Sequence, residues 1–284
     1  MAARVESGVP EIRPRSVAEV LDVAMEVFRA RFGVYVGLST LLWFPVYFVR
    51  PILAPDDWLT ARGEGPGVGA LLGFVVTLLA TLGVSVLDNA IVARLVAAEL
   101  AGETLSVLAA IRGVLARSFA IVVIAGVNAL ATATGFLCLC VPGFLVAWKL
   151  YLAPAVCVIE EAGIFESLAR SAHLSRRRFG PWLGLFIAGM LLLLPFSSMA
   201  GVADQPGVRD SVLQRLGIPA LAYDWARIGF SSLFTGVAYA FQGVMVTVWY
   251  FDCVARRDGA DLVKRLERLR SASVRELGGA QGAA

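Results

Sequence analysis

The chain has 284 residues, a formal net charge of +3 and one histidine, and 58% of its residues are hydrophobic whereas only 17% are charged. Soluble domains are close to half apolar and a quarter charged, so this composition excludes an ordinary water-soluble domain and indicates lipid as the solvent. The N-terminus has no short apolar core followed by a small-residue cleavage site, so we do not expect a cleaved signal peptide.

Long apolar stretches predict six membrane-spanning helices. A bilayer core of about 30 Å needs roughly 20 apolar residues in a helix, and residues 32–49 and 68–87 match that length. Residues 119–159 would form a helix about 61 Å long, so we expect them to fold back, with the turn at residues 141–143. Residues 182–202 and 228–251 supply spans five and six, and the charged residues 203–227 between them are expected in water.

The lysines and arginines predict the orientation of these spans. Nineteen of the 25 basic residues fall on the side that carries both ends of the chain, five fall on the other side, and Lys149 falls within a span. Basic residues accumulate on the cytoplasmic side of membrane proteins. The sequence therefore predicts a multi-pass protein of the cytoplasmic (cell) membrane with both termini in the cytoplasm.

A short amphipathic segment precedes spans one, three and five, at residues 16–32, 104–119 and 164–179. The first begins with Ser16 and Glu19, which have the spacing of a helix capping box. We expect these segments to lie on the cytoplasmic membrane surface as a loose pseudo-repeat, either merely capping the bundle or recognising anionic lipid or a partner. The candidate contacts to lipid head groups are Arg29, Arg31, Arg112, Arg117, Arg176, Arg177 and Arg178.

The predicted fold class is therefore all-α, a polytopic transmembrane helical bundle with about six spans and amphipathic interfacial helices. We predict a single membrane domain over residues 16–257. It follows a flexible N-terminus, residues 1–15, and precedes a cytoplasmic tail, residues 258–284, whose alternating charges favour a solvated helix before a disordered end.

Three stretches of the chain resemble a known family. They are residues 15–22 (RSVAEVLD) with 28–33 (FRARFG), residues 154–183, and residues 249–259 (WYFDCVARRDG). Together they resemble the membrane domain that is fused to some glycerophosphoryl diester phosphodiesterases and its stand-alone bacterial relatives. The resemblance implies a six-span bundle in a bacterial cytoplasmic membrane, and it implies no settled activity for the stand-alone members.

The sequence gives no sign of a catalytic centre. A glycerophosphodiesterase needs several histidines and a carboxylate cluster around a metal, and this chain has only His173. Cys138 and Cys140 are two residues apart, so on a helix their side chains diverge and are poorly placed to share a metal. No phosphate-binding loop and no G-x-S-x-G serine are present. We therefore expect no enzymatic activity, no metal and no cofactor.

The polar residues nearest the predicted membrane interior are candidate functional residues. A lysine inside a bilayer costs roughly 2.5–3.5 kcal/mol, so Lys149 needs an explanation. It could snorkel to the outer interface or pair with a carboxylate, or it could line a substrate or ion pathway. The remaining candidates are Asp88, Asn89, Glu160 and Asp252.

Both aspartates have a structural interpretation. Asp88 follows twenty apolar residues and is expected at the inner interface, where it could cap a helix or pair with Arg94. Asp252 ends span six shortly before Arg256 and Arg257, which favours a local charge clamp over transport.

These observations favour a non-enzymatic membrane protein, an envelope accessory or scaffold that engages anionic lipids or a membrane or cytoplasmic partner. A homo-oligomer is also compatible with them, and no nucleic-acid partner is expected. The alternative is a small transporter or channel-like permease component with Lys149 in its pathway.

Overall fold

The structure, a computed structural model, describes residues 15–53, 68–138, 140–202, 205–217 and 219–259. Within those ranges the chain forms eleven helices and no strands. They are α1 (Val17–Ala30), α2 (Phe32–Leu53), α3 (Val68–Ala101), α4 (Val107–Leu115), α5 (Ser118–Cys138), α6 (Cys140–Leu150), α7 (Ala153–Ile159), α8 (Ile164–Leu174), α9 (Phe179–Val202), α10 (Pro206–Leu216) and α11 (Ala220–Asp258). The predicted tail helix and both predicted flexible ends lie almost wholly outside the described residues.

Six segments of these helices are long and apolar enough to cross a membrane, which confirms the predicted number of spans. The architecture is that of a multi-pass helical membrane protein. The six segments are Phe32–Pro51, Leu71–Ala101, Ser118–Cys138, Val141–Ile159, Phe179–Phe196 and Ala220–Arg257.

The three predicted short helices precede spans one, three and five, as α1, α4 and α8. The predicted capping box of α1 is present, because Ser16 N–H donates to Glu19 Oε2 at 2.7 Å and Glu19 N–H donates to Ser16 Oγ at 3.3 Å. Ser106 Oγ caps α4 by accepting a bond from Ala109 N–H at 3.2 Å. These side chains satisfy N–H groups that a helix leaves without partners in its first turn.

The burial of the short helices differs from one to the next. In α1 the predicted apolar face is buried, including Val20 and Ala24. In α4 the predicted face is divided, because Val114 is buried whereas Leu108 and Leu115 are more than half exposed. The bundle therefore covers one side of α4 and leaves an apolar side uncovered.

Helix α3 is longer than predicted. The sequence analysis ended the second span at residue 87, but the helix continues without a break to Ala101, about 51 Å in all. The reason is that residues 90–101 contain no proline or glycine and are rich in alanine and leucine, which favour helix. Asp88 and Asn89 consequently lie inside a continuous helix and not at its end.

The turn between spans three and four precedes the predicted one. Helix α5 ends at Cys138 and α6 begins at Cys140, so Pro142 lies in the first turn of α6, where a missing N–H removes no helical hydrogen bond. Gly143 serves close packing: a Cβ on Gly135 of α5 would lie only 2.8 Å from the Gly143 backbone.

Span four is broken near its middle, a feature that the sequence analysis did not predict. Helix α6 ends at Leu150 and α7 begins at Ala153, with Pro154 in the first turn of α7. A continuous helix would need a bond from residue 154 to the Leu150 carbonyl, and proline has no N–H to donate while its ring would clash there. Proline at this position accounts for the break.

Helix α11 lies at the centre of the bundle. Its most apolar window is 67% buried, whereas the other spans are 11–39% buried, and it packs against α1, α2, α3 and α9. Two glycines allow this packing: a Cβ on Gly236 would lie 2.7 Å from the Thr40 backbone nitrogen of α2, and one on Gly243 would lie 2.9 Å from Val92 of α3.

The region that was predicted to lie in water between spans five and six is partly helical. It contains α10, and α11 already begins at Ala220, eight residues before the predicted start of span six. The charged residues Asp224 and Arg227 therefore lie on the first turns of α11.

We predict that Gly236→Ala destabilises the bundle by about 1–3 kcal/mol, because the added methyl group overlaps the α2 backbone and forces the two helices apart. Gly229→Ala is the matched control on the same helix, since a Cβ there meets no atom within 4 Å. Thermal unfolding in detergent measures both variants. Equal stability of the two would contradict the close α2–α11 contact.

Candidate functional site

Ion pairs collect at one end of the bundle, where α2 begins and where α3, α7 and α11 end. We call this set of residues the charged collar. Shared helices link its members, since α3 supplies Arg94 and Glu99 while α11 supplies Tyr250 and Asp252. The pairs are Arg31–Glu99, Arg94–Glu161, Arg117–Glu161, Arg170–Glu160, Arg178–Asp252 and Arg256–Asp252.

Asp252 is the most connected carboxylate of the charged collar, and its side chain is fully buried. It accepts bonds from Arg15 N–H at 2.5 Å, Arg178 Nη2 at 2.8 Å and Arg256 Nε at 3.3 Å. Arg256 also donates to the Arg15 carbonyl at 2.7 Å, and Arg178 lies 4.4 Å from the centre of the Trp249 ring. The predicted clamp with Arg256 is present, and it also joins the two ends of the described chain.

Glu161 joins α3 and the turn between α4 and α5 to the turn before α8. Its carboxylate lies 3.3 Å from Arg94 and 3.4 Å from Arg117, and its carbonyl accepts a 2.6 Å bond from Arg117. Its φ of 56° is in the left-handed region, which a glutamate adopts at a cost that these contacts offset. The predicted pairing of Asp88 with Arg94 is therefore wrong, because Arg94 reaches Glu161.

Glu160 connects α8 to α11. Its carboxylate accepts a bond from Arg170 Nε at 3.1 Å and another from the Tyr250 hydroxyl at 2.7 Å. Both glutamates of this pair thus act as acceptors inside the charged collar.

The seven arginines that were predicted to contact lipid head groups divide into two groups. Arg31, Arg117 and Arg178 form ion pairs within the charged collar. The other four have exposed side chains that make no ion pair or hydrogen bond to the described part of the chain. These outward arginines are Arg29, Arg112, Arg176 and Arg177.

Asp88 lies on α3 with its side chain packed inside the bundle, and its position at the inner membrane interface stays a prediction. It is fully buried and precedes Glu99 of the charged collar by eleven residues on α3, about 16 Å along the helix. Ser39 Oγ donates to Asp88 at 2.7 Å and Trp43 Nε1 donates at 3.2 Å, both from α2. A fully buried ionisable group within a segment apolar enough to span a membrane is a candidate functional position.

Asn89 borders a cavity of about 170 Å³ between α3, α5, α7 and α11. Its Nδ2 donates to the Ser85 carbonyl at 2.7 Å, whereas its buried Oδ1 has no partner in the described chain. Three further polar side chains line the cavity: Asn128, Tyr151 and Gln242. The sequence analysis named Asn89 but missed these three, although an amide in an apolar span is itself a signal.

Lys149 is the last residue but one of α6 and lies beside α8, where its backbone carbonyl accepts a 2.8 Å bond from Ser171 Oγ. Its side chain is exposed, and Lys149 is not among the residues that line the cavity beside Asn89. A transport role for Lys149 stays a prediction.

Over the described ranges, no group of three histidine, cysteine or acidic side chains is placed to hold a metal.

We predict that Asp252→Asn destabilises the protein by about 3–5 kcal/mol, because two guanidinium groups lose a buried counter-charge. The control is Asp224→Asn, whose exposed carboxylate lies 3.7 Å from Arg209 and should contribute about 0–1 kcal/mol. Denaturant titration in detergent compares the two. A loss at Asp252 no larger than the loss at Asp224 would show that the charged collar does not hold the chain ends together.

We predict energetic coupling between Asp88 and Trp43 across α2 and α3. Asp88→Leu leaves the buried Trp43 N–H without an acceptor, at a cost of about 1–3 kcal/mol, and Trp43→Phe removes that N–H. The double variant should therefore lose less stability than the sum of the two single losses. Strict additivity in this double-mutant cycle would mean that the bond contributes nothing.

Comparison with known proteins identified no relative of this chain. No protein-family model, no curated protein and no solved structure matches the chain. The resemblance to the membrane domain of glycerophosphoryl diester phosphodiesterases therefore stays a prediction from the sequence.

Proposed function

We propose that this multi-pass membrane protein is a non-enzymatic accessory or scaffold protein of the cell envelope that holds anionic lipid head groups at its charged collar. In this proposal the charged collar faces the cytoplasm, and the four outward arginines are the lipid contacts. The main support for this proposal is that the seven candidate arginines fall into two groups. Three of them form ion pairs with carboxylates of the bundle, whereas the four outward arginines have no carboxylate partner within the described chain.

The exposed side of α4 has the pattern of a lipid-facing surface. Leu108, Arg112 and Leu115 follow one another at intervals of three or four residues, so they share one face of α4, and Phe119 follows in the first turn of α5. The three apolar side chains are 55–78% exposed. Apolar side chains below a guanidinium group suit the boundary between acyl chains and phosphate groups.

The turn after α8 offers a second basic surface. Arg176 and Arg177 are consecutive and exposed, and Arg177 has a φ of 63°, a left-handed conformation that is costly for arginine. The Arg176 carbonyl accepts a bond from the Arg257 guanidinium of α11. The backbone of this turn is thus fixed to the bundle while its two side chains point outward.

Magnitudes favour lipid as the partner of these arginines. Each basic residue close to an anionic membrane surface contributes about 1 kcal/mol of attraction. Four such residues on the ends of three helices give a substantial preference for anionic over zwitterionic lipid. Arginine also binds phosphate with two parallel hydrogen bonds, which a lysine cannot do.

We expect Arg112→Gln/Arg176→Gln to weaken the preference for phosphatidylglycerol over phosphatidylcholine by more than about tenfold. Native mass spectrometry of protein extracted from mixed-lipid vesicles measures how many molecules of each lipid remain bound. Both residues are exposed and lie outside the ion pairs of the charged collar, so the fold should survive.

The matched control is Arg209→Gln/Arg215→Gln in α10, at the opposite end of the bundle. It removes the same charge and should leave the lipid preference almost unchanged. If the preference for phosphatidylglycerol fell equally in both double variants, net charge alone would explain the effect, and the proposal would be overturned. If the lipid preference persists in the first variant while a co-purifying protein is lost, the outward arginines bind a protein partner instead.

A further inference from the structure

We propose that the cavity beside Asn89 binds a small uncharged molecule that carries amide or hydroxyl groups. This site is separate from the charged collar and from the lipid contacts proposed above. It lies among α3, α5, α7 and α11, within segments long and apolar enough to span a membrane.

The first argument is the unpaired oxygen of Asn89. Its Oδ1 is buried and accepts no hydrogen bond from the described chain, while its Nδ2 is fixed to the Ser85 carbonyl of the preceding helical turn. A buried polar atom without a partner is costly, and more so where bulk water is excluded. In the structure this oxygen lies beside Gly243 of α11, and a small rotation of the Asn89 amide would let it accept a bond from an O–H or amide N–H of a molecule in the cavity.

The second argument is the composition of the cavity wall. Asn89, Asn128, Gln242 and Tyr151 are its polar residues, and the other lining residues are apolar. Thr132 Oγ1 donates to Asn128 Oδ1 at 3.2 Å and Tyr151 bonds with Gln242, so a ligand would meet the remaining amide groups of the wall. No lining residue carries a charge. A charged ligand would lose its hydration there without gaining a counter-charge, so the wall selects a neutral molecule.

The third argument is the broken span. The interruption between α6 and α7 lies at this cavity, since Tyr151, Pro154 and Ala155 all line it. Membrane proteins tolerate irregular backbone at membrane depth where it is buried or borders a cavity, and several transporter families bind their substrates at such breaks. The cavity volume of about 170 Å³ also exceeds the roughly 30 Å³ that one water molecule occupies.

The binding test uses acetamide and propane-1,2-diol as neutral probes and acetate and methylammonium as their charged counterparts. Saturation-transfer NMR on the detergent-solubilised full chain measures saturable binding of each probe. We expect at least one neutral probe to bind and both charged probes to fail. Ala93→Leu fills the cavity from α3 and should weaken the binding of that neutral probe by about tenfold or more.

The matched control for the filling variant is Ala129→Leu on α5, where the alanine is exposed and does not line the cavity. It should bind the neutral probe as the unmodified protein does. Asn89→Leu removes the acceptor and should also abolish binding, yet it should not lower the melting temperature, because the unpaired oxygen is lost with it. Gln242→Leu is the second variant if Asn89→Leu fails to fold.

Three results would overturn the inference. One is the absence of saturable binding by either neutral probe, which would leave a cavity that holds water only. Another is equal binding of acetate or methylammonium. The third is undiminished binding in Ala93→Leu, which would place the probe elsewhere. None of these results bears on the outward arginines, so they leave the lipid proposal intact.

Discussion

Inside a bilayer a polar group has no water to bond with, so it must find a partner within the protein or in a bound molecule. The chain largely meets this constraint by placing most of its ion pairs at one end of the bundle and by giving buried polar groups such as Asp88 neutral partners. Asp252 is the clearest case of the first, with bonds to Arg15, Arg178 and Arg256. Asp88 is the clearest case of the second, because it accepts bonds from Ser39 and Trp43 of α2.

The exceptions to this constraint are informative. At the charged collar, four arginines point outward and find no carboxylate in the described chain. Within the described ranges, four buried side-chain atoms lack a partner, and they belong to Thr40, Asn89, Trp148 and Trp182. Only Asn89 among them also lines the polar cavity between α3, α5, α7 and α11. The outward arginines suit anionic head groups, whereas the Asn89 oxygen suits a neutral donor, so the two proposals concern different ligands.

Much of the architecture was predictable because it follows from local rules. Apolar length identified the six spans, and the spacing of Ser16 and Glu19 identified the start of α1. Helix α3 was predicted to end too early because hydropathy falls at Asp88, whereas helix formation depends on the residues after it, which continue the helix to Ala101. The break in span four could have been read from Pro154, whose missing N–H interrupts a helix in any solvent.

The candidate site was harder to predict because it depends on contacts between distant parts of the chain. Arg15 and Asp252 are 237 residues apart, and no local pattern in the sequence indicates that they meet. The same holds for Asn89, Asn128 and Gln242, which three different helices bring to one cavity. The sequence indicated which arginines are candidates for a basic surface, but it did not show which of them form ion pairs. In the folded chain Arg117 is bound to Glu161, whereas Arg112 has no carboxylate partner in the described residues.

The most direct test of the account is the position of the two bundle ends relative to the membrane. An epitope tag inserted after Gly217, at the end of α10, and a second tag at the C-terminus can each be probed with antibody on intact cells and on opened cells. The account predicts that the first tag is reached on intact cells and the second only after the cells are opened, because the charged collar faces the cytoplasm. Antibody access to the C-terminal tag on intact cells, or to both tags equally, would contradict it.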